Sequence, residues 1–167
     1  MIEGSVWKFG RDIDTDVIIA GRYCNIPDPK DLVKHVFEDL DPTFAGRFRP
    51  GDVIVADANF GCGSSREVAP AVLKAAGVAA VVAPSFARIF YRNSINIGLP
   101  IFEIPGIAQE FSEGQEISLD PKSGNVKNTS TGTTFQSAPF PEFMEKIIAV
   151  GGLVNYASDR LGGATHE

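Results

Sequence analysis

The chain has 167 residues, 44% of them hydrophobic, which is enough to bury a core as a single domain, and it carries a formal net charge of −6. That acidic balance, without clustered Lys and Arg, excludes a phosphate-neutralising nucleic-acid footprint, so no nucleic-acid partner is expected and an anionic substrate has to be met by local positive groups. No apolar run approaches the roughly 20 residues of a membrane span, and "MIEGSVWKFGRD" has neither the basic start nor the apolar core of a secretion signal, so a cytoplasmic chain without a membrane partner is expected.

In chain order, Ser5–Phe9 and Asp16–Ile19 have the β-branched and aromatic content of short strands. Between them "RDIDTD" places Asp12, Asp14 and Asp16 at alternate positions. An EF-hand loop fails here, because its glycine would fall on Val17 and its bidentate glutamate on Tyr23, so turn-forming aspartates are the preferred reading. Asp28-Pro29 opens a helix whose apolar face would be Leu32, Val33, Val36, Phe37 and Leu40, ending before Pro42.

"DVIVAD" reads as a buried strand, "REVAPAVLKAAG" as a helix stopped by Gly77, and "VAAVVA" as another strand. Together they form a βαβ unit with parallel strands. A second helix is expected over "SFARIFYRNSINIG", with Phe86, Ile89, Phe90, Asn93 and Ile97 on one face. There Arg88 and Arg92, four apart, can bring positive charge near the preceding loop, with a solvated face the preferred reading for Arg92. "LPIFEI" returns to strand, "QEISLDPKSGNVKNTSTGTTFQS" reads as an antiparallel hairpin, and "PEFMEKIIAVGG" as a helix opened by Pro141. The expected organisation is one α/β domain over residues 1–167, with a polar tail from about residue 157 that frays.

The chemistry concentrates in "NFGCGSSRE", Asn59 to Glu67, after the "DVIVAD" strand and before the next helix, where open α/β sheets bind ligands. Unpaired N–H groups and the helix dipole favour an anion there, Gly61 and Gly63 allow close approach, and Arg66 can fork onto a carboxylate. The same residues spell the capping box S-x-x-E, with Ser64 capping and Glu67 reaching back, and the loop alone leaves cap and site both open. A P-loop is excluded because no Lys follows the last glycine, a dinucleotide fingerprint because Arg66 takes its third glycine position, and a nucleophile elbow because Gly63 directly precedes Ser64. The two cysteines, Cys24 and Cys62, are far apart, so neither a zinc site nor an iron–sulfur cluster can be assembled from this chain alone. A disulfide between them stays open but would be unusual in the cytosol. His35 and His166 have no partner spacing for a metal or a triad.

Three motifs in this order, "DIDTDVIIAGRY", "GDVIVADANFGCGSSRE" and "SFARIFYRNSINIGLP", resemble the small subunits of isopropylmalate isomerase in the aconitase superfamily, over about Trp7 to Glu103. The resemblance implies an α/β swivelling β/β/α domain, with a βαβ core and additional antiparallel strands, that closes over a separate large subunit bearing a 4Fe–4S cluster. This chain would hold no cofactor or metal of its own, and its substrate would be a small dicarboxylate, a branched malate. Carried over residue by residue, the general base falls on Ser64, substrate-carboxylate groups on Ser65 and Arg66, and an acidic residue completing the site on Asp16. The family's usual "SSREHAP" is "SSREVAP" here, with Val68 where a histidine is usual. Asn25 stands where related homoaconitase subunits carry Arg, so a small apolar branch is favoured over a third carboxylate. A dimethylmalate dehydratase subunit and a non-catalytic anion-binding or assembly module are the alternatives.

Overall fold

The structure, a computed structural model, describes residues 1–162. Its elements are β1 (Ile2–Lys8), α1 (Thr15–Ile18), α2 (Pro29–Leu32), α3 (Phe44–Arg47), β2 (Val53–Val55), α4 (Val68–Ala76), β3 (Ala80–Ala83), α5 (Arg88–Asn96), β4 (Ile101–Glu103), β5 (Glu116–Leu119), β6 (Asn125–Asn128), β7 (Thr134–Gln136), α6 (Glu142–Ala149) and α7 (Leu153–Gly162). The strands form one seven-stranded sheet in the order β4-β3-β2-β1-β5-β6-β7. β1 to β4 pair in parallel, as the βαβ reading requires, while β1/β5, β5/β6 and β6/β7 pair antiparallel. The expected hairpin is thus a three-stranded meander.

Alternation along the strands builds two cores. Trp7, Ile54, Val81 and Ile101 point to one face, which α4 and α5 cover together with Phe37, Phe44 and Phe90. Val6, Val53, Val55, Val82 and Phe102 point to the other, where Ile117, Leu119 and Val126 of the antiparallel half pack on them. With both faces covered, β2 and β3 have no solvent side, and this is why "VIV" and "AVVA" are continuously apolar. Helix α4 ends as expected: Gly77 is left-handed at φ 92° and its N–H bonds the Leu73 and Lys74 carbonyls.

Three expected elements differ. Asp16–Ile19 is not a strand, because the Asp14 carboxylate accepts the Asp16 N–H at 2.7 Å and caps the short helix α1. The helix from Pro29 stops at Leu32, continues as a 3-10 turn to His35, and breaks where Phe37 adopts φ 54°. Phe37 turns back into the core to stack on Phe9 at 4.3 Å, with its N–H on the Ile18 carbonyl, which leaves Leu40 exposed rather than on a buried face. On α5 the buried residues are Phe90, Ser94 and Ile95, and Ile89, expected inside, is 47% exposed. The stretch expected as a polar tail begins inside α7, and His166 lies outside the described residues.

Candidate active site

Beyond the regular strands, the segments leaving β1, β2 and β3 stay laced together. The Phe9 N–H bonds Val55, Asp12 bonds Ala58, Gly61 bonds Ile13 and Thr15 bonds Cys62, all between 2.7 and 3.0 Å. On the other side Phe60 and Ala87 bond the Ser85 and Phe60 carbonyls, and Ser85 Oγ accepts the Asn59 N–H. Phe60, fully buried, meets Phe86 and Phe90 edge to face, so the three segments share one aromatic footing. Two glycines make the fit possible. A Cβ on Gly61 (φ 81°) would sit 2.2 Å from the Phe90 ring, and one on Gly63 (φ 88°) would sit 2.3 Å from the Asp14 carboxylate.

Arg66 reaches from the β2 loop to the β1 loop. Its Nη2 lies 3.3 Å from Asp16 Oδ1, and its Nη1 donates to Cys24 Sγ at 3.4 Å. Asp16 also accepts the Gly21 N–H at 2.9 Å, so one carboxylate fixes both the turn and the guanidinium. The turn itself is held by ring contacts further along: Tyr23 stacks on His35 at 3.8 Å, and His35 Nδ1 lies 3.0 Å from Glu38. Bonds from the Tyr23 hydroxyl and His35 hold Glu38 below the usual carboxylate range. His35 thus braces the turn that carries Cys24.

Ser64 and Ser65 are exposed and line a cavity of about 180 Å³ with Arg66, Thr15 and the two loop glycines. The capping box does not form. Helix α4 begins only at Val68, Glu67 is its N-cap residue, and no side chain bonds the helix end. The Ser64 carbonyl instead accepts the Thr15 hydroxyl at 2.8 Å, which holds this serine in the loop, where it lines the cavity. The helix start that faces the cavity is that of α5: Ala87, Arg88, Ile89 and Phe90 line it, and no side chain caps that end. First-turn N–H groups have no partner inside their own helix, so they and the dipole supply the positive wall that the sequence had suggested for the start of α4. Asn93 lies on the same wall.

Of the other candidates, Asn25 is exposed on the turn next to Cys24 and outside the cavity lining. Asp12 and Asp14 hold the loops, Asp12 accepting the Asn59 side-chain amide at 2.9 Å and Asp14 capping α1. Cys24 and Cys62 are both free thiols, and burial, followed by Asp14 and Asp12, pushes the Cys62 thiol up, away from thiolate chemistry. Val68 packs on the core behind the loop and not in the cavity. Arg92 is exposed and lines a neighbouring groove of about 530 Å³ between α5 and α6. Thr15, Ala87 and Asn93 had no signal of their own in the sequence, since a threonine, an alanine and an asparagine carry no motif.

Residues 13–105 match the family model described as the aconitase C-terminal domain, a span holding all three laced loops. The 3-isopropylmalate dehydratase small subunit of Aliarcobacter butzleri is 60% identical, the match covering 93% of each chain. That of Sulfurimonas denitrificans is 55% identical, covering 97% of this chain and 96% of the relative. Among solved structures, a crystal structure of 3-isopropylmalate dehydratase from Methanocaldococcus jannaschii superposes with a TM-score of 0.90 at 42% identity, covering 95% of this chain and 94% of that one.

Proposed function

The chain belongs to the aconitase C-terminal domain family and, within it, to the 3-isopropylmalate dehydratase small subunits, and from that premise we propose that it is the small subunit of a hydro-lyase interconverting 2-isopropylmalate and 3-isopropylmalate in leucine biosynthesis. The observation that carries the proposal is the meeting of the three sequence motifs around one anion-ready cavity: Arg66, joined to Asp16, lines it together with Ser64, Ser65 and the start of α5.

In this reading Arg66 and Ser65 bind a substrate carboxylate, and Ser64 takes the carbon-bound proton. A serine is too weak an acid to carry that role without nearby donors that stabilise its oxygen as charge develops. The α5 N–H groups and Arg66 are such donors, and Ser64, freed from capping duty, is available to use them. Asp16 orients Arg66, and Asn25, neutral and beside Cys24, leaves no charge for a third carboxylate.

The partner implied by a small subunit is the large subunit, and the resemblance puts the 4Fe–4S cluster there. Among the described residues no group of three His, Cys, Asp or Glu side chains could hold a metal ion, and in this reading their part is proton handling and carboxylate binding. The reading places the chain in the cytoplasm, supported by the unpaired cysteines. No helix among the described residues is long and apolar enough to cross a membrane.

The test is reconstitution with the large subunit and its cluster, followed by a screen of isopropylmalate, dimethylmalate and homocitrate. Turnover of isopropylmalate above the other two is expected. Preference for dimethylmalate would move the chain to the related dehydratase, and activity on none would end the hydro-lyase reading.

A further inference from the structure

A malate-type acid carries two carboxylates, and the residues assigned above hold only one of them. Arg66 shares its charge with Asp16, the two serines are neutral, and the chain as a whole is acidic at −6. Enclosing a second carboxylate against this chain without a cation would strip its water with nothing to offset the loss. The cavity has one more cation on its lining, Arg88, at the start of α5.

Arg11, Arg22, Arg47 and Arg66 are each paired with an aspartate, whereas Arg88 has no carboxylate partner among the described residues. Its placement is fixed by the fold. The Ala87 N–H bonds the Phe60 carbonyl at 3.0 Å and Phe90, three residues on, is buried against Phe60, so the first turn of α5 is tied to the serine loop. Arg88 also lines the groove between α5 and α6.

We propose that Arg88 is a substrate-binding residue that takes the second carboxylate of the branched malate, opposite the one held by Arg66 and Ser65. The proposal rests on the hydro-lyase reading and deepens it, because it makes the selection of diacids over monoacids a property of this subunit.

The experiment uses the reconstituted two-subunit enzyme with wild type, Arg88→Gln and Arg88→Lys. Arg88→Gln is expected to raise KM for isopropylmalate at least tenfold with kcat changed only a few-fold, and Arg88→Lys, which keeps the charge but not the fork, falls between. The decisive readout is competitive inhibition by 2-hydroxy-4-methylpentanoate, the same skeleton without the second carboxylate. Its Ki stays constant in Arg88→Gln while binding of the diacid weakens, so the diacid-to-monoacid selectivity shrinks about tenfold. A merely structural role would weaken both acids together, and that result, or unchanged selectivity, overturns the proposal. Loss of affinity for the large subunit with diacid selectivity intact would assign Arg88 to the subunit interface and overturn it too. Wild-type enzyme inactive on every branched malate would sink the hydro-lyase reading and the role of Arg88 together, whereas active wild type with an unaffected Arg88→Gln sinks only the latter.

Discussion

Arg66 and Asp16 meet at 3.3 Å, joining the loop after β2 to the loop after β1 at the edge of the cavity. The Asp16 side chain is 60% exposed, so the pair adds little to stability, no more than about 1 kcal/mol for a surface ion pair. Its value lies in orientation. Replacement by Asp16→Asn keeps an acceptor for the Gly21 N–H but removes the charge that holds the guanidinium. The expected outcome is a kcat/KM of the reconstituted enzyme lowered roughly tenfold or more, with a thermal midpoint within a few degrees of wild type. A large fall in the midpoint would mean that the pair is structural.

Gly63 tests the lacing of the loops. An alanine there has to adopt φ 88° and place its Cβ 2.3 Å from the carboxylate that caps α1, so Gly63→Ala is expected to cost about 2–4 kcal/mol in urea unfolding and to reduce activity. Gly10 supplies the comparison, since a Cβ there would meet nothing within 4 Å and its φ is not left-handed. Gly10→Ala should unfold within about 0.5 kcal/mol of wild type.

Much of this arrangement was legible in the residues themselves. The parallel half of the sheet follows from "DVIVAD" and "VAAVVA", because strands covered on both faces are apolar without alternation. Misreadings came where a single tertiary contact outweighed local preference. The β-branched run after Asp16 became helical because one aspartate caps it, and the helix from Pro29 ended early because Phe37 is more stable stacked on Phe9 than continuing the turn. In the cavity, the glycines, serines and arginine of one loop were visible as a group. The α5 wall was not, since backbone N–H groups leave no mark on a sequence and tertiary contacts, the Phe60–Phe86 pairing among them, bring them there.

Cys62 sits in the serine loop with its thiol pushed up, first by burial and then by Asp14 and Asp12. A raised value means less thiolate at any given pH, so alkylation of native Cys62 by iodoacetamide near pH 8 should lag behind the same residue in urea-unfolded chain. The gap should narrow as pH climbs past the ordinary thiol range. The folded chain also holds this proton more tightly than the unfolded one, so the associated stability is present below the unfolded thiol value and lost as pH rises through the folded one. Peptide mass spectrometry of the alkylated chain reads the rates, and equal rates in both states would contradict the shift.

Ser64 is where capping and catalysis make opposite predictions. A serine capping α4 would lose about 1 kcal/mol on replacement by alanine, because an N-cap oxygen satisfies a helix N–H that otherwise goes without a partner. Here α4 starts at Val68 with no side-chain cap, and the loop is held through the Ser64 carbonyl, which alanine keeps. Ser64→Ala is therefore expected to unfold within about 0.5 kcal/mol of wild type while turnover of the reconstituted enzyme falls at least a hundredfold. Ser65→Ala, exposed on the same wall but assigned to carboxylate binding, should act mainly on KM. Turnover of Ser64→Ala within a few-fold of wild type would remove the base from Ser64, and a stability loss near 1 kcal/mol would return it to the helix end.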